Sequence, residues 1–267
     1  MLKHGFFPFH IVDFSPWPLY MSTGVYMILM SVLMKINNIH SLEFNLLISL
    51  IFTLLSLYGW FRDMVHEGLL EGNHTLLVQK GLKMGMLLFI VSEVLFFFSF
   101  FWSLFYYSIS PSVELYSWPP SGLMTLDPMG MPFLGTLLLI SSGVSVTWSH
   151  HSTIEGKKTS AGISLAITII LGMMFTFLQY QEYLNCSFTI SDSVFGSIFF
   201  LSTGFHGIHV IIGSLMLMVS FVRIFFFHFS KKHHVGYEAS IWYWHFVDVV
   251  WLLLYVCVYW WGSTMML

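Results

Sequence analysis

The sequence predicts an all-α polytopic membrane protein with seven transmembrane helices, and three observations predict it. The 267 residues are 57% hydrophobic and only 9% charged, too little charge for a soluble domain of this size. The apolar residues gather into seven runs, each near the ~17–25 residues needed to cross a bilayer. The basic residues fall in alternate loops between those runs, as the positive-inside rule requires of a multi-spanning chain.

Taken in order, the runs lie near 16–34, 42–61, 82–108, 129–149, 159–184, 193–222 and 239–262, within a single integral membrane domain over 1–267. Pro16 and Pro18 crowd the start of the first, where proline is better tolerated than in a helix interior. The stretch RDMVHEGLLEGNHTLLVQK connects the second and third and mixes both signs of charge with His66 and His74. Such a connector is either simply solvated or able to hold a lipid headgroup. The segment from 108 to 132 carries Pro111, Pro119, Pro120, Pro128 and Pro132, so it is not one helix. His150, His151 and Glu155 close the fourth run and read as a solvated helix end.

Orientation follows from charge. Lys3, Arg62, Lys80, Lys83, Lys157, Lys158, Arg223, Lys231 and Lys232 share one side, and only Lys35 lies opposite. The N-terminus is expected inside and the C-terminus outside. The net charge of −3 says nothing about nucleic acid, because the charges sit in short clusters between apolar runs. Cys186 and Cys257 are too few for a disulfide framework or a thiolate metal site. The start MLKHGFFPFHIVDFSPWPL has neither the zones of a cleavable signal nor the character of a transit peptide, so insertion where the chain is made is expected.

Few ionisable residues fall inside the runs: Glu93, His206, His209, His245 and Asp248. Glu93 lies roughly 15 Å along a helix that starts at Lys83, about halfway through a ~30 Å hydrocarbon core. Its helical neighbours Phe89, Ile90, Phe96 and Phe97 offer it no polar partner, and a carboxylate at that depth is by default a functional candidate. His206 and His209, in GFHGIHVIIG, share one helix face. They suggest a haem or metal site, or imidazoles that hydrogen-bond across a close helix contact marked by Gly204, Gly207 and Gly213. Two ligands on one turn do not reach both faces of a haem, which favours intramembrane polar packing. His245 and Asp248 can neutralise one another, or the aspartate can be held by a neighbouring helix. His233 and His234 stand beside Lys231 and Lys232, where lipid phosphate is within reach. The aromatic crowd of the last run, from Trp242 to Trp261, reads mostly as interfacial anchoring.

The strings SPWPL (15–19), HTLLVQKGLKMGMLLFIVSEVLFFFSFFW (74–102), GVSVTWSHHS (143–152), FTISDSVFGSIFFLSTGFHGIHVIIG (188–213) and WYWHFVDVVWLLLYVCVYWWGS (242–263) closely resemble the cytochrome c oxidase subunit 3 family, in order along essentially the whole chain. The resemblance implies seven helices in two groups, I–II and III–VII, splayed around a lipid-holding cleft. It implies a core, non-redox subunit of respiratory complex IV, which transfers electrons from cytochrome c to oxygen and pumps protons. No haem, copper or other metal is then expected on this chain; haem a and copper belong to partner subunits. Glu93 becomes the family's membrane-buried carboxylate. Lipid contacts are implied at Trp60, Arg62, His66, Glu67, His74, Lys83, Arg223 and His234. His66 departs from the arginine common in relatives, and Lys83 keeps a charge where arginine is common but loses the fork geometry.

The resemblance also implies the mitochondrial inner membrane, with the N-terminus in the matrix and the C-terminus in the intermembrane space. Its implied partners are subunits 1 and 2, small accessory subunits, phospholipids and a respiratory supercomplex, and no nucleic acid. The subunit would stabilise the catalytic subunit and assist proton or oxygen access. Two rivals remain open on the residues themselves. One is a proton-coupled seven-helix transporter using Glu93 and Asp248; the other is a haem-binding redox protein using His206 and His209.

Overall fold

The computed structural model describes residues 9–37, 43–110, 117–120 and 122–263, and every regular element among them is helical. Lys3, and the part of the proline-rich segment from 111 to 116, lie outside the described residues. The helices are α1 (Trp17–Ile36), α2 (Glu43–Leu69), α3 (Leu76–Ile109), α4 (Met131–Glu155), α5 (Lys158–Asn185), α6 (Val194–Phe225) and α7 (Val235–Leu254). A π-helical segment, Tyr255–Trp260, continues α7. All seven helices are long and apolar enough to cross a membrane.

The apolar runs mark the centres of the helices better than their ends. The charged stretch after Trp60 is largely helical: α2 continues to Leu69 and α3 begins at Leu76, leaving a six-residue turn (70–75) in place of a long connector. Backbone hydrogen bonding does not stop where hydrophobicity does, so a spanning helix extends into the headgroup layer on polar residues. The α4–α5 connection is tighter still. Gly156 adopts a left-handed conformation (φ 84°), and the Lys157 N–H closes back on the Ser152 carbonyl at 2.8 Å, a Schellman-type stop that glycine makes inexpensive.

Packing divides the chain into two compact units, 1–82 and 83–267, with the boundary inside α3. In the first unit α1 packs on α2. The Trp17 indole covers Gly59, and its Nε1 donates to Asp63 Oδ2 at 2.6 Å. The same carboxylate accepts two bonds from Arg62, at 2.9 and 2.8 Å. The tryptophan of the SPWPL string thus ties the start of α1 to the polar end of α2.

The second unit packs α4 on α5, α5 on α6, α6 on α7 and α7 back on α4. Its core is built by α7 aromatics facing a stripe of small hydroxyl residues on α4: Ser142, Ser145, Ser149 and Ser152, spaced to share one face and all buried. Trp244 Nε1 donates to Ser142 Oγ at 2.9 Å, Trp251 Nε1 to Thr136 Oγ1 at 3.0 Å, and the Tyr237 hydroxyl to Ser149 Oγ at 2.6 Å. The same stripe also reaches α5: Ser145 and Thr168 lie 2.8 Å apart, and Ser149 Oγ donates to the Ala161 carbonyl. Small residues let backbones approach in a membrane, where apolar surface gives helices no preference for each other over lipid. The aromatic crowd of the last run is therefore core more than belt: Trp244 (0% exposed) and Trp251 (1%) are fully buried, whereas Trp260 and Trp261 are at 39%. The indole N–H groups find serine and threonine partners, which removes the reason for those rings to seek an interface.

Candidate functional site

Glu93 is carried by α3 and His209 by α6, and their side chains meet: Glu93 Oε2 lies 2.9 Å from His209 Nε2. The other imidazole nitrogen, Nδ1, lies 2.7 Å from the Phe205 carbonyl on its own helix. A carbonyl only accepts, so Nδ1 carries a hydrogen and a neutral ring offers Nε2 as an acceptor. The contact to Glu93 then contains a proton shared by the pair, as a carboxylic acid donating to imidazole or as a carboxylate paired with imidazolium. Aromatic rings enclose the pair: Phe97 lies 5.1 Å from the His209 ring, with Tyr243 and Phe246 each at 6.2 Å. The partner missing from Glu93's own helix comes from another one.

His206 and His209 share a helix face but part company. His206 is 1% exposed, and its Nε2 donates to the Val247 carbonyl of α7 at 3.2 Å. It packs against Trp251 and Phe175, with ring centres at 5.2 and 5.6 Å. One imidazole thus serves α7 and the other α3. The glycines expected to mark this contact do so unevenly. Only Gly213 is at a close approach, where a Cβ would come within 2.9 Å of Trp244. Gly207 has nothing within 4 Å of that position and Gly204 only the Tyr183 hydroxyl at 3.8 Å, so hydrogen bonds rather than backbone proximity hold this part of α6.

His245 and Asp248 lie 3.8 Å apart, too far for a hydrogen bond. Asp248 instead sits over Gly143 of α4, where a Cβ would come within 2.9 Å of its Oδ2; its Oδ1 is buried without a hydrogen-bond partner.

The residues with implied lipid contacts fall in both units. In the first, Arg62 is engaged by Asp63, Glu67 lies 3.8 Å from His10, and the His74 ring centre is 5.5 Å from that of His10; Trp60 is half-buried and His66 exposed. In the second, Lys83 forms an ion pair with Glu238, and His234 lies 3.3 Å from the other oxygen of the same carboxylate. Arg223 lies over the Phe229 ring at 4.4 Å, with its Nε buried and without a hydrogen-bond partner. Outside the spans, burial holds the His233 imidazole below its ordinary pKa, and the neighbouring charges of Arg223 and Lys83 act in the same direction.

Three features escaped the sequence reading. Glu182 is 4% exposed within α5 and accepts from the Tyr259 hydroxyl at 2.6 Å and from Gln179 at 3.2 Å, so the spans carry a third carboxylate beside Glu93 and Asp248. Asp63 accepts from Trp17. His150, read as a solvated helix end, lies beside His234 with ring centres 5.5 Å apart. Glu182 lies within the apolar run 159–184, where a carboxylate is itself a signal, but Tyr259, Trp17 and His234 come from distant parts of the chain and spacing does not point to them.

The profile of the family described as cytochrome c oxidase subunit III matches residues 7–263. Cytochrome c oxidase subunit 3 of Oryctolagus cuniculus is 52% identical over 267 residues, covering 98% of this chain and all of the rabbit protein. That of Myxine glutinosa is 53% identical over 256 residues, 96% of this chain and 97% of its own length. That of Anopheles gambiae is 49% identical over 265 residues, 98% of this chain and all of the mosquito protein. With a family match across nearly its whole length and relatives at about half identity from end to end, the chain belongs to the cytochrome c oxidase subunit III family.

Proposed function

We propose that this chain is a core, non-redox subunit of cytochrome c oxidase, the oxidoreductase of respiratory complex IV, in which it stabilises the catalytic subunit, binds phospholipids and assists proton or oxygen access. The observation that carries the supporting role is the Glu93–His209 contact at 2.9 Å. It links α3 to α6 through a proton shared by two titratable groups. That arrangement holds the helices together and offers a site where a proton can reside.

His206 and His209 are each engaged with a different helix, which speaks against their use as a joint haem ligand pair. Trp60, Arg62, His66, Glu67, His74, Lys83, Arg223 and His234 supply charged and aromatic groups of the kind that hold phospholipid headgroups. The setting is the mitochondrial inner membrane, with the N-terminus in the matrix and the C-terminus in the intermembrane space. The partners are the haem- and copper-bearing subunits, accessory subunits and a supercomplex.

Purification of the chain from its native membrane tests this reading. Co-purification with haem a and copper, and no Soret band on the isolated chain, are the expected results. Solute counterflow by vesicles containing this chain alone would instead establish the transporter.

A further inference from the structure

We propose that His150, His234 and Glu238 form a binding site for a divalent cation of the zinc class, joining the end of α4 to the start of α7. One ligand atom from each of the three lies within 4.8 Å of the others. His150 stands in the last turns of α4, His234 is the residue immediately before α7, and Glu238 is in the first turn of α7.

The hydrogen bonding around His234 shows what the site lacks. His234 Nδ1 lies 2.9 Å from the Ser230 carbonyl, so this nitrogen carries the hydrogen. A neutral His234 then presents a bare lone pair at Nε2, and that atom faces Glu238 Oε1 at 3.3 Å. Two acceptors pointed at one another need a positive charge between them. His150 Nε2 is also buried without a hydrogen-bond partner. The 3.3 Å separation matches the edge of a tetrahedron with ~2.0–2.1 Å metal–ligand bonds, so the His234–Glu238 pair already has the spacing zinc requires.

The surroundings are those of a metal site. The Ser230 carbonyl fixes the His234 ring and its tautomer, as the outer hydrogen bonds of ligating histidines do. Lys83 takes the other oxygen of Glu238, which keeps the carboxylate oriented and leaves Oε1 for a ligand. Tyr237, fully buried, walls the His150 ring at 6.1 Å. Two imidazoles and one carboxylate oxygen suit zinc or a neighbouring borderline ion, with a fourth position left for water. No change of oxidation state is involved, so the site is compatible with a subunit that holds no redox centre. Its consequence would be a cross-link between α4 and α7, extended through Lys83 to α3.

The test uses the assembled oxidase equilibrated with zinc chloride, freed of unbound metal, and studied by zinc-edge anomalous diffraction and by zinc content. The expected result is an anomalous peak bonded to His150, His234 and Glu238. The wild type should then hold one more zinc per complex than H150Q or E238Q. Loss of a ligand should weaken binding by more than the ~10–100-fold that follows loss of an outer-shell partner. Lys83→Met, which removes the outer partner of the Glu238 carboxylate, should weaken zinc binding by less than the loss of a ligand does. Equal zinc contents in wild type and variants, or an empty anomalous map at this position, would overturn the proposal and leave a protonated His234–Glu238 ion pair. If a variant does not assemble, the wild-type map decides by itself.

Discussion

Glu93 and His209 touch at 2.9 Å although 116 residues separate them in the chain. The carboxyl group that α3 carries into the bilayer is therefore met by a base whose far nitrogen is anchored to its own helix. A buried polar group costs little when partnered and much when orphaned, which makes the pair a mutual requirement. Replacing either partner with an apolar residue strands the other.

The two histidines of α6 should be separable from the oxidase's haems. His206→Gln and His209→Gln are expected to leave the haem spectrum of the assembled complex unchanged, because each imidazole is spent on a protein acceptor or partner. His206→Gln, with a fully buried ring at stake, should lower the thermal stability of the complex more than an exposed substitution does. Absorption spectra of assembled variants check this; a lost or shifted haem band is the adverse result.

The glycines of α6 should differ sharply. A Cβ at Gly213 would meet Trp244 at 2.9 Å, against a ring that is 0% exposed and bonded to Ser142, so it has little room to yield. Gly213→Ala is expected to reduce assembly, with a cost of about 1–3 kcal/mol for overpacking. Gly207→Ala should be neutral or slightly stabilising within α6, since alanine is the better helix former and nothing lies in its way. Assembled-complex yield and melting temperature for the two variants provide the comparison.

The hydroxyl stripe of α4 makes its own prediction. Trp244→Phe keeps most of the ring but loses the donor to Ser142, and polar contacts between membrane helices are worth ~0.6 kcal/mol on average. A small loss of thermal stability is expected, and Ser142→Ala combined with Trp244→Phe should cost less than the sum of the two alone. Strict additivity in that cycle would mean that the bond contributes nothing.

What the sequence made legible was the part governed by one-dimensional physics. Seven spanning helices follow from apolar runs, and Glu93 stands out because hydrocarbon has no use for a lone carboxylate. The ends of α2 and α3 were hidden because hydropathy falls at the headgroups while backbone hydrogen bonding continues to Leu69 and resumes at Leu76. Trp244 and Trp251 looked like belt residues because a ring with an N–H suits an interface and a serine-lined core equally well. His209 as the partner of Glu93, Tyr259 as that of Glu182, and the meeting of His150 with His234 depend on which helices pack together. No periodicity within a single helix encodes that.

Topology gives a direct test of the charge argument. Tags at the N-terminus and in the 155–160 loop should be exposed to the matrix, whereas the C-terminus and the 109–128 segment should face the intermembrane space. Nine of the ten Lys and Arg residues lie on the side assigned to the matrix. Protease accessibility in mitoplasts reads the outcome, and a matrix-side C-terminus would reverse the assignment.

Replacing Glu93 by Gln retains shape and a hydrogen-bond donor toward His209 while abolishing titration of the carboxyl group. With His209 Nδ1 donating to Phe205, the Gln amide N–H can still donate to Nε2, so α3 and α6 should remain joined and the complex should assemble. Glu93→Ala leaves that nitrogen unpartnered and should destabilise the complex, by up to about 2 kcal/mol for a lost interhelical bond. If the pair is structural only, Gln will match wild type in turnover and pumping at every pH. If it holds a proton in transit or positions a bound lipid, Gln will assemble normally yet turn over more slowly or lose activity over successive turnovers. The effect of lost proton supply should be largest at high pH, where protons are scarce. The expected outcome is a mild functional defect in Gln with assembly intact, because the Gln amide keeps the contact to His209 but cannot give up a proton as a carboxyl group does. Steady-state oxygen consumption against pH, for wild type, Gln and Ala in the same lipid, makes the measurement. A Gln variant indistinguishable from wild type over many turnovers would reduce Glu93 to a strut between two helices.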